Sequence, residues 1–238
     1  MRKALVGLLA VAAAVFAVPA AAGATDAPSG ATVYVTHGLP LDNAGTLVDV
    51  YVNGAEAIND FRFGQTVGPL TLPAATYDIE VRTPDGVTTL IQQDVSVPAG
   101  GNFSVVASFV DDRGTPGLNV FANDTKRAPF GLAKLALHHA AAAPAVDVDA
   151  GLFPISRFFP KLVKEVVSGA VNGQAATLTL PSFLRYTADV RVADTSTVVL
   201  KANDIRISSK VLTNVYVVGS AAGGTLQVIS NTIPVAGR

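Results

Sequence analysis

The stretch Ala31-Thr-Val-Tyr-Val-Thr-His37, followed by Leu47-Val-Asp-Val-Tyr-Val-Asn-Gly54, returns later in the chain as Ala133-Lys-Leu-Ala-Leu-His-His139 followed by Ala145-Val-Asp-Val-Asp-Ala-Gly151. An internal repeat constrains every later assignment, because both copies must adopt one architecture. The order of segments continues in step. Leu72-Pro73 and Tyr77-Asp-Ile-Glu-Val-Arg82 match Leu180-Pro181 and Tyr186-Thr-Ala-Asp-Val-Arg191. Phe103-Ser-Val-Val-Ala matches Thr213-Asn-Val-Tyr-Val, and Leu118-Asn-Val-Phe121 matches Leu226-Gln-Val-Ile229. The copies therefore run over 31–128 and 131–232, joined around Ala128-Pro129.

Within each copy apolar residues alternate with polar ones, as at Val48/Val50/Val52 and Ala188/Val190/Val192, which is the period of half-buried strands. Turn chemistry separates the runs. Asn53-Gly54 suits a type I′ hairpin, and Pro84-Asp85-Gly86 and Asp111-Asp-Arg-Gly114 break others. About seven short strands per copy are expected of a sandwich. The alanine-rich stretch Leu135 to Ala143 has helical propensity, but it aligns with the β-branched Thr32 to Thr36 and is read as strand. The expected fold is all-β: two tandem antiparallel β-sandwich domains, immunoglobulin-like or transthyretin-like.

The residues also carry a family resemblance. His37, Pro40, Val48-Asp49-Val50, Leu72-Pro73-Ala74, Tyr77, Pro98-Ala99-Gly100 and Val105-Val106-Ala107 resemble, in that order, the exported bacterial family "domain of unknown function 4397". The second copy is similar through His139, Pro144, Val146-Asp147-Val148, Leu180-Pro181 and Tyr186, but has Ser208-Ser209-Lys210 where the first has Pro-Ala-Gly. The resemblance implies a secreted β-module and carries over no catalytic residue.

Export is legible independently. Arg2 and Lys3 precede the apolar run Ala4 to Val18, and Ala22-Gly23-Ala24 is a small-residue cleavage site, so residues 1–24 read as a signal peptide. Pro19 makes the segment short for a membrane span, and no Cys is present to be lipidated. The expected location is secreted or cell envelope, with no membrane span in the mature form. Without Cys, stability must come from buried cores, and each copy, at about 100 residues, is large enough to have one. The 17 basic and 18 acidic residues nearly cancel, which excludes the basic excess of a nucleic-acid binder.

The inventory of reactive groups names no reaction. No Gly-x-Ser-x-Gly elbow and no phosphate-binding Gly loop is present. The three histidines are His37, His138 and His139. His37 and His139 share parity with inward Val33/Val35 and Leu135/Leu137, whereas Asp49 and Asp147 sit between inward valines and are expected to point outward, which separates base from carboxylate. His138 and His139 face opposite ways, and no zinc spacing occurs. Asp147 and Asp149 share a face but lack the further oxygens calcium requires. Tyr77 and Tyr186, each after Leu-Pro, read as corner tyrosines whose hydroxyl bonds backbone. No catalytic residue, metal ligand or cofactor is assigned. The sequence reads as a non-enzymatic envelope or extracellular binding or structural module, with an envelope protein or polysaccharide as possible partner. The alternative is a hydrolytic or metal-dependent enzyme using the strand-end His and Asp residues.

One segment reads either as a plug for the core or the domain junction or as a contact surface. The second copy is longer between Gly151 and Tyr186 than the first between Gly54 and Tyr77, and the addition holds Leu152-Phe-Pro-Ile-Ser-Arg-Phe-Phe-Pro160. Phe153, Phe158 and Phe159 with Arg157 have the composition of an apolar contact with a basic rim. The exported product is expected to begin near Thr25; mass spectrometry finding Met1 to Ala24 retained would overturn the export reading.

Overall fold

A computed structural model describes residues 30–40, 47–157 and 164–235; the signal segment 1–24 lies outside them, as do Phe158 and Phe159. The chain forms strands β1 (Ala31–His37), β2 (Leu47–Val52), β3 (Ala55–Arg62), β4 (Thr66–Leu72), β5 (Ala75–Arg82), β6 (Thr89–Val97), β7 (Asn102–Phe109) and β8 (Pro116–Ala122). It continues with β9 (Leu132–Ala142), β10 (Val146–Leu152), β11 (Lys164–Ala170), β12 (Ala175–Pro181), β13 (Arg185–Val192), β14 (Val198–Arg206), β15 (Val211–Ser220) and β16 (Gln227–Pro234). A 3-10 turn, Ile155–Arg157, follows β10.

The sheet orders β4-β1-β7-β8 and β3-β2-β5-β6 recur as β12-β9-β15-β16 and β11-β10-β13-β14. Eight strands per copy replace the seven expected, because the edge strands β3 and β4 are mostly half-buried or exposed and show little alternation. Each copy is thus a sandwich of two four-stranded sheets. All pairings are antiparallel except β1 with β7 and β9 with β15.

Local chemistry accounts for the elements. Asn53 and Gly54 both take positive φ, 52° and 77°, and join Val52 directly to its partner Ala55 as a type I′ turn requires. The alanine-rich β9 is a strand because its two neighbours, β12 and β15, pair it along most of its length, so tertiary pairing outweighs helical propensity. Pairing also corrects one match between the copies. Ala107 faces Leu118, but Val217 faces Val228, so β16 is offset by two residues from the match of Leu118 with Leu226. A two-residue slip keeps every side chain on its own face, and alternation cannot detect it.

Each sandwich encloses a core, the first around Val33, Val48, Phe61, Val81 and Ile91, the second around Ala141, Val146, Val148, Ala188 and Val190. The other faces of β4-β1-β7-β8 and β12-β9-β15-β16 do not meet water. They pack on one another through Val106, Phe121, Ala140, Tyr216, Val218 and Ile229, with Tyr34, Ala136, Leu212 and Ile233 beside them. The result is four sheets in a stack, with a seam between the copies.

Several polar groups in that seam bond one another. Asn214 donates through Nδ2 to Oδ1 of Asn123 (3.3 Å) and Asn231 (3.2 Å), while its Oδ1 meets His138 Nε2 at 3.2 Å. Asn231 Nδ2 in turn donates to the hydroxyls of Thr36 and Thr66. The His138 ring lies between Phe121 and Tyr216, each with its centroid 4.5 Å away. Burial here pushes the His138 pKa down from 6.5 to about 4, because the protonated ring would lose its hydration.

This yields a pH dependence with a definite sign. The unfolded chain binds a proton at His138 near 6.5 and the folded chain only near 4, so stability is complete above that range and is lost as pH falls through it. The loss from this residue amounts to about 3 kcal/mol by pH 4, since each tenfold difference in proton affinity between the folded and unfolded chain is worth about 1.4 kcal/mol. Urea melts between neutral pH and pH 4 should show it, and His138→Gln should flatten the slope.

Candidate functional site

The strand-end histidines are structural in both copies. His37 Nδ1 accepts the backbone N–H of Leu39 at 3.3 Å, and His139 Nδ1 accepts that of Ala141 at 3.4 Å, so each ring ties down the chain two residues on. His37 also packs against Phe61 and Phe63, and His139 Nε2 lies 3.3 Å from the carbonyl of Pro144. Burial lowers the His139 pKa. The two histidines stand on β1 and β9, whereas Asp49 and Asp147 stand on β2 and β10 of the facing sheets.

Asp49 and Asp147 correct the expectation that they point into solvent: each is only 3% exposed. Asp49 Oδ1 accepts the N–H of Asp60 at 2.9 Å, and Asp147 Oδ1 that of Gly169 at 2.8 Å. Asp60 and Gly169 have φ of 51° and 62° and lie where β3 and β11 bulge out of register. The aspartate thus satisfies the donor a bulge leaves unpaired. Asp147 also accepts the N–H of Asp194, and these backbone donors, with the nearby Arg191 guanidinium, hold its carboxyl below the usual range. Arg191 joins Asp149 (2.6 Å) and Glu165 (3.0 Å), so a cation already occupies the one acidic face considered for calcium. Among the described residues no cluster of three or more His, Cys, Asp or Glu could hold a metal.

The tyrosines are where the sequence places them. Tyr77 donates to the carbonyl of Pro73 and Tyr186 to that of Pro181, both at 2.9 Å, closing the same corner in each copy.

Of the contact segment, Phe153 is half-buried, with the Arg185 guanidinium 4.7 Å from its ring centre. Arg157 ends the 3-10 turn, and Phe158 and Phe159 fall outside the described residues. The structure adds two residues to this end of the second sandwich. Leu132 pairs with Pro181, and Ser182 N–H donates to Gly131 O, which brings Phe130 and Phe183 to the next positions. Both are exposed, at 107% and 79%, and Phe183 is two residues from Arg185.

A second feature lies towards the opposite end of the same strands: a cavity of about 280 Å³ between the two sheets. Its walls include Leu137, Val146, Val148, Val190, Val215 and Val217. Comparison of pairing partners shows its origin. Val48 faces Phe61 but Val146 faces Ala170; Val35 faces Val67 but Leu137 faces Ala176; Val52 faces Ile79 but Ala150 faces Ala188. Phe61, Val67, Ile79 and Val52 of the first copy are replaced by alanine in the second, while Leu137 is larger than Val35.

A family model described as "Domain of unknown function (DUF4397)" matches residues 31–149. The chain belongs to this family. The DUF4397 match runs from β1 into β10, and so spans the whole first sandwich and the opening strands of the second. No curated protein matches the sequence. Among solved structures, CBMbc (family CBM26) from Eubacterium rectale Amy13K, in complex with maltoheptaose, is 8% identical over 86% of this chain and 97% of that one, with a TM-score of 0.26. The Bacillus anthracis TIE protein is 11% identical with a TM-score of 0.21; 88% of this chain is covered, which spans 32% of that protein.

Two features of this DUF4397 chain leave no mark in its sequence pattern. Phe130 and Phe183 lie far apart in the chain, and only the β9–β12 pairing joins them. The cavity arises from apolar-for-apolar exchanges, which alternation does not register; aligning the two copies core position by core position would reveal them. The bulge assignment predicts that Asp49→Ala, which strands a backbone donor, lowers stability by about 1–3 kcal/mol in urea unfolding while Asp49→Asn loses less.

Proposed function

We propose that the protein is an exported, non-catalytic binding module that attaches to a polysaccharide or protein of the cell envelope through one end of its second sandwich. The observation that supports this reading most is the fate of the candidate catalytic groups. His37, His139, Asp49 and Asp147 are buried, and the bonds they make close strand ends and bulges. Groups engaged in this way lack the open cleft that general acid–base chemistry needs.

The contact surface combines Phe130 and Phe183 with Phe153 and Arg185. Exposed rings beside a guanidinium offer an apolar face with a hydrogen-bonding rim, the makeup of a recognition surface for a polymer or a protein. Among the described residues no helix is long and apolar enough to cross a membrane. Attachment by surface contact is the form of envelope association proposed.

The test is co-sedimentation of the purified chain with insoluble envelope polymers isolated from its source. Wild type should be retained, and Phe130→Ser with Phe183→Ser should release it at unchanged melting temperature, since both side chains are exposed. Retention unaffected by that pair would remove the surface. An enzymatic turnover abolished by His139→Gln at unchanged stability would overturn the non-catalytic reading.

A further inference from the structure

The cavity of the second sandwich carries a separate inference. Its mouth lies between the edge strands β11 and β12, where Ser168, Gln174 and Ala175 are exposed, and behind them the wall is made of valine, leucine and alanine. No Lys, Arg, Asp or Glu lines it among the described residues. The two histidines that border it, His138 and His139, both have pKa values lowered by burial and are neutral at pH 7.

We propose that this cavity is a binding site for an uncharged alkyl chain with a small polar end, such as a medium-chain alcohol. The volume sets the size of the guest. A closed apolar cavity of about 150 Å³ holds one benzene, so 280 Å³ has room for an apolar chain of about ten carbons. The lining sets its chemistry. An apolar wall favours hydrocarbon, and the absence of a basic residue leaves a carboxylate or phosphate without a counter-charge. At the mouth Ser168 and Gln174 offer exposed polar side chains, which is where a hydroxyl would rest.

The first copy shows that the space is a departure from the shared packing. Phe61, Val67 and Ile79 occupy the positions that Ala170, Ala176 and Ala188 hold in the second, and Phe61 is 1% exposed, fully committed to its core. Restoring the first copy's residues is therefore the direct test. This inference rests on reading the chain as a binding module, but it is read out at the other end of the sandwich from the envelope contact. The two can fail separately.

The experiment titrates the full mature chain with phenylnaphthylamine, an uncharged fluorescent apolar probe, and displaces it with decanol. Wild type should give a saturable rise in fluorescence that decanol reverses at lower concentration than decanoate does. Ala170→Phe should weaken probe binding by about tenfold or more, with a melting temperature at or above that of wild type. Should Ala170→Phe fail to fold, the gentler pair Ala176→Val with Ala188→Ile decides in its place. No saturable signal from wild type, or full binding by a cooperatively melting filled variant, would overturn the proposal. So would decanoate displacing the probe better than decanol.

Discussion

Asn214 has no exposed surface, and its carboxamide bonds Asn231 and His138 of its own sheet and reaches Asn123 across the plane where the two sandwiches touch. The arrangement of the whole chain depends on this contact. Apolar groups such as Tyr216, Val218 and Phe121 supply most of the driving force for joining the sheets, but apolar contact alone tolerates sliding. The amide and hydroxyl groups do not. A shift by one strand position would leave several of them buried without partners, at about 1–3 kcal/mol each, so the network selects one docking of the copies over its neighbours.

Much of this architecture is legible in the order of residues. The Asn53-Gly54 turn and the corner tyrosines act through local geometry, and each is found where it is expected. Features that depend on a partner strand are harder to read. Asp49 and Asp147 have the parity of solvent-facing residues, and only the bulge in the neighbouring edge strand covers them. The seam escapes detection for a similar reason. Thr36, Ser104, Asn119 and Asn214 look like the wet side of a sheet, and they are buried because a second sheet with the same kind of surface lies against them.

The candidate site divides along the same line. Phe153 signals itself by composition, since an aromatic run between prolines in an added segment is unusual. Phe130 and Phe183 signal nothing individually, and become a surface only through a pairing between residues that are distant in sequence. The cavity is hidden more thoroughly, because Ala170, Ala176 and Ala188 keep the alternation intact while removing volume. Periodicity reports which side of a sheet a residue faces and is silent about how much space it fills.

Duplication gives the hollowed copy a particular latitude. An isolated sandwich with several core side chains cut back would sit close to its unfolding limit, and further change in it would be selected against. Here the first copy keeps its large core residues, and the seam couples the unfolding of one to the other, so the margin belongs to the pair. The interior of the second copy can therefore change shape while the seam holds the two sandwiches together.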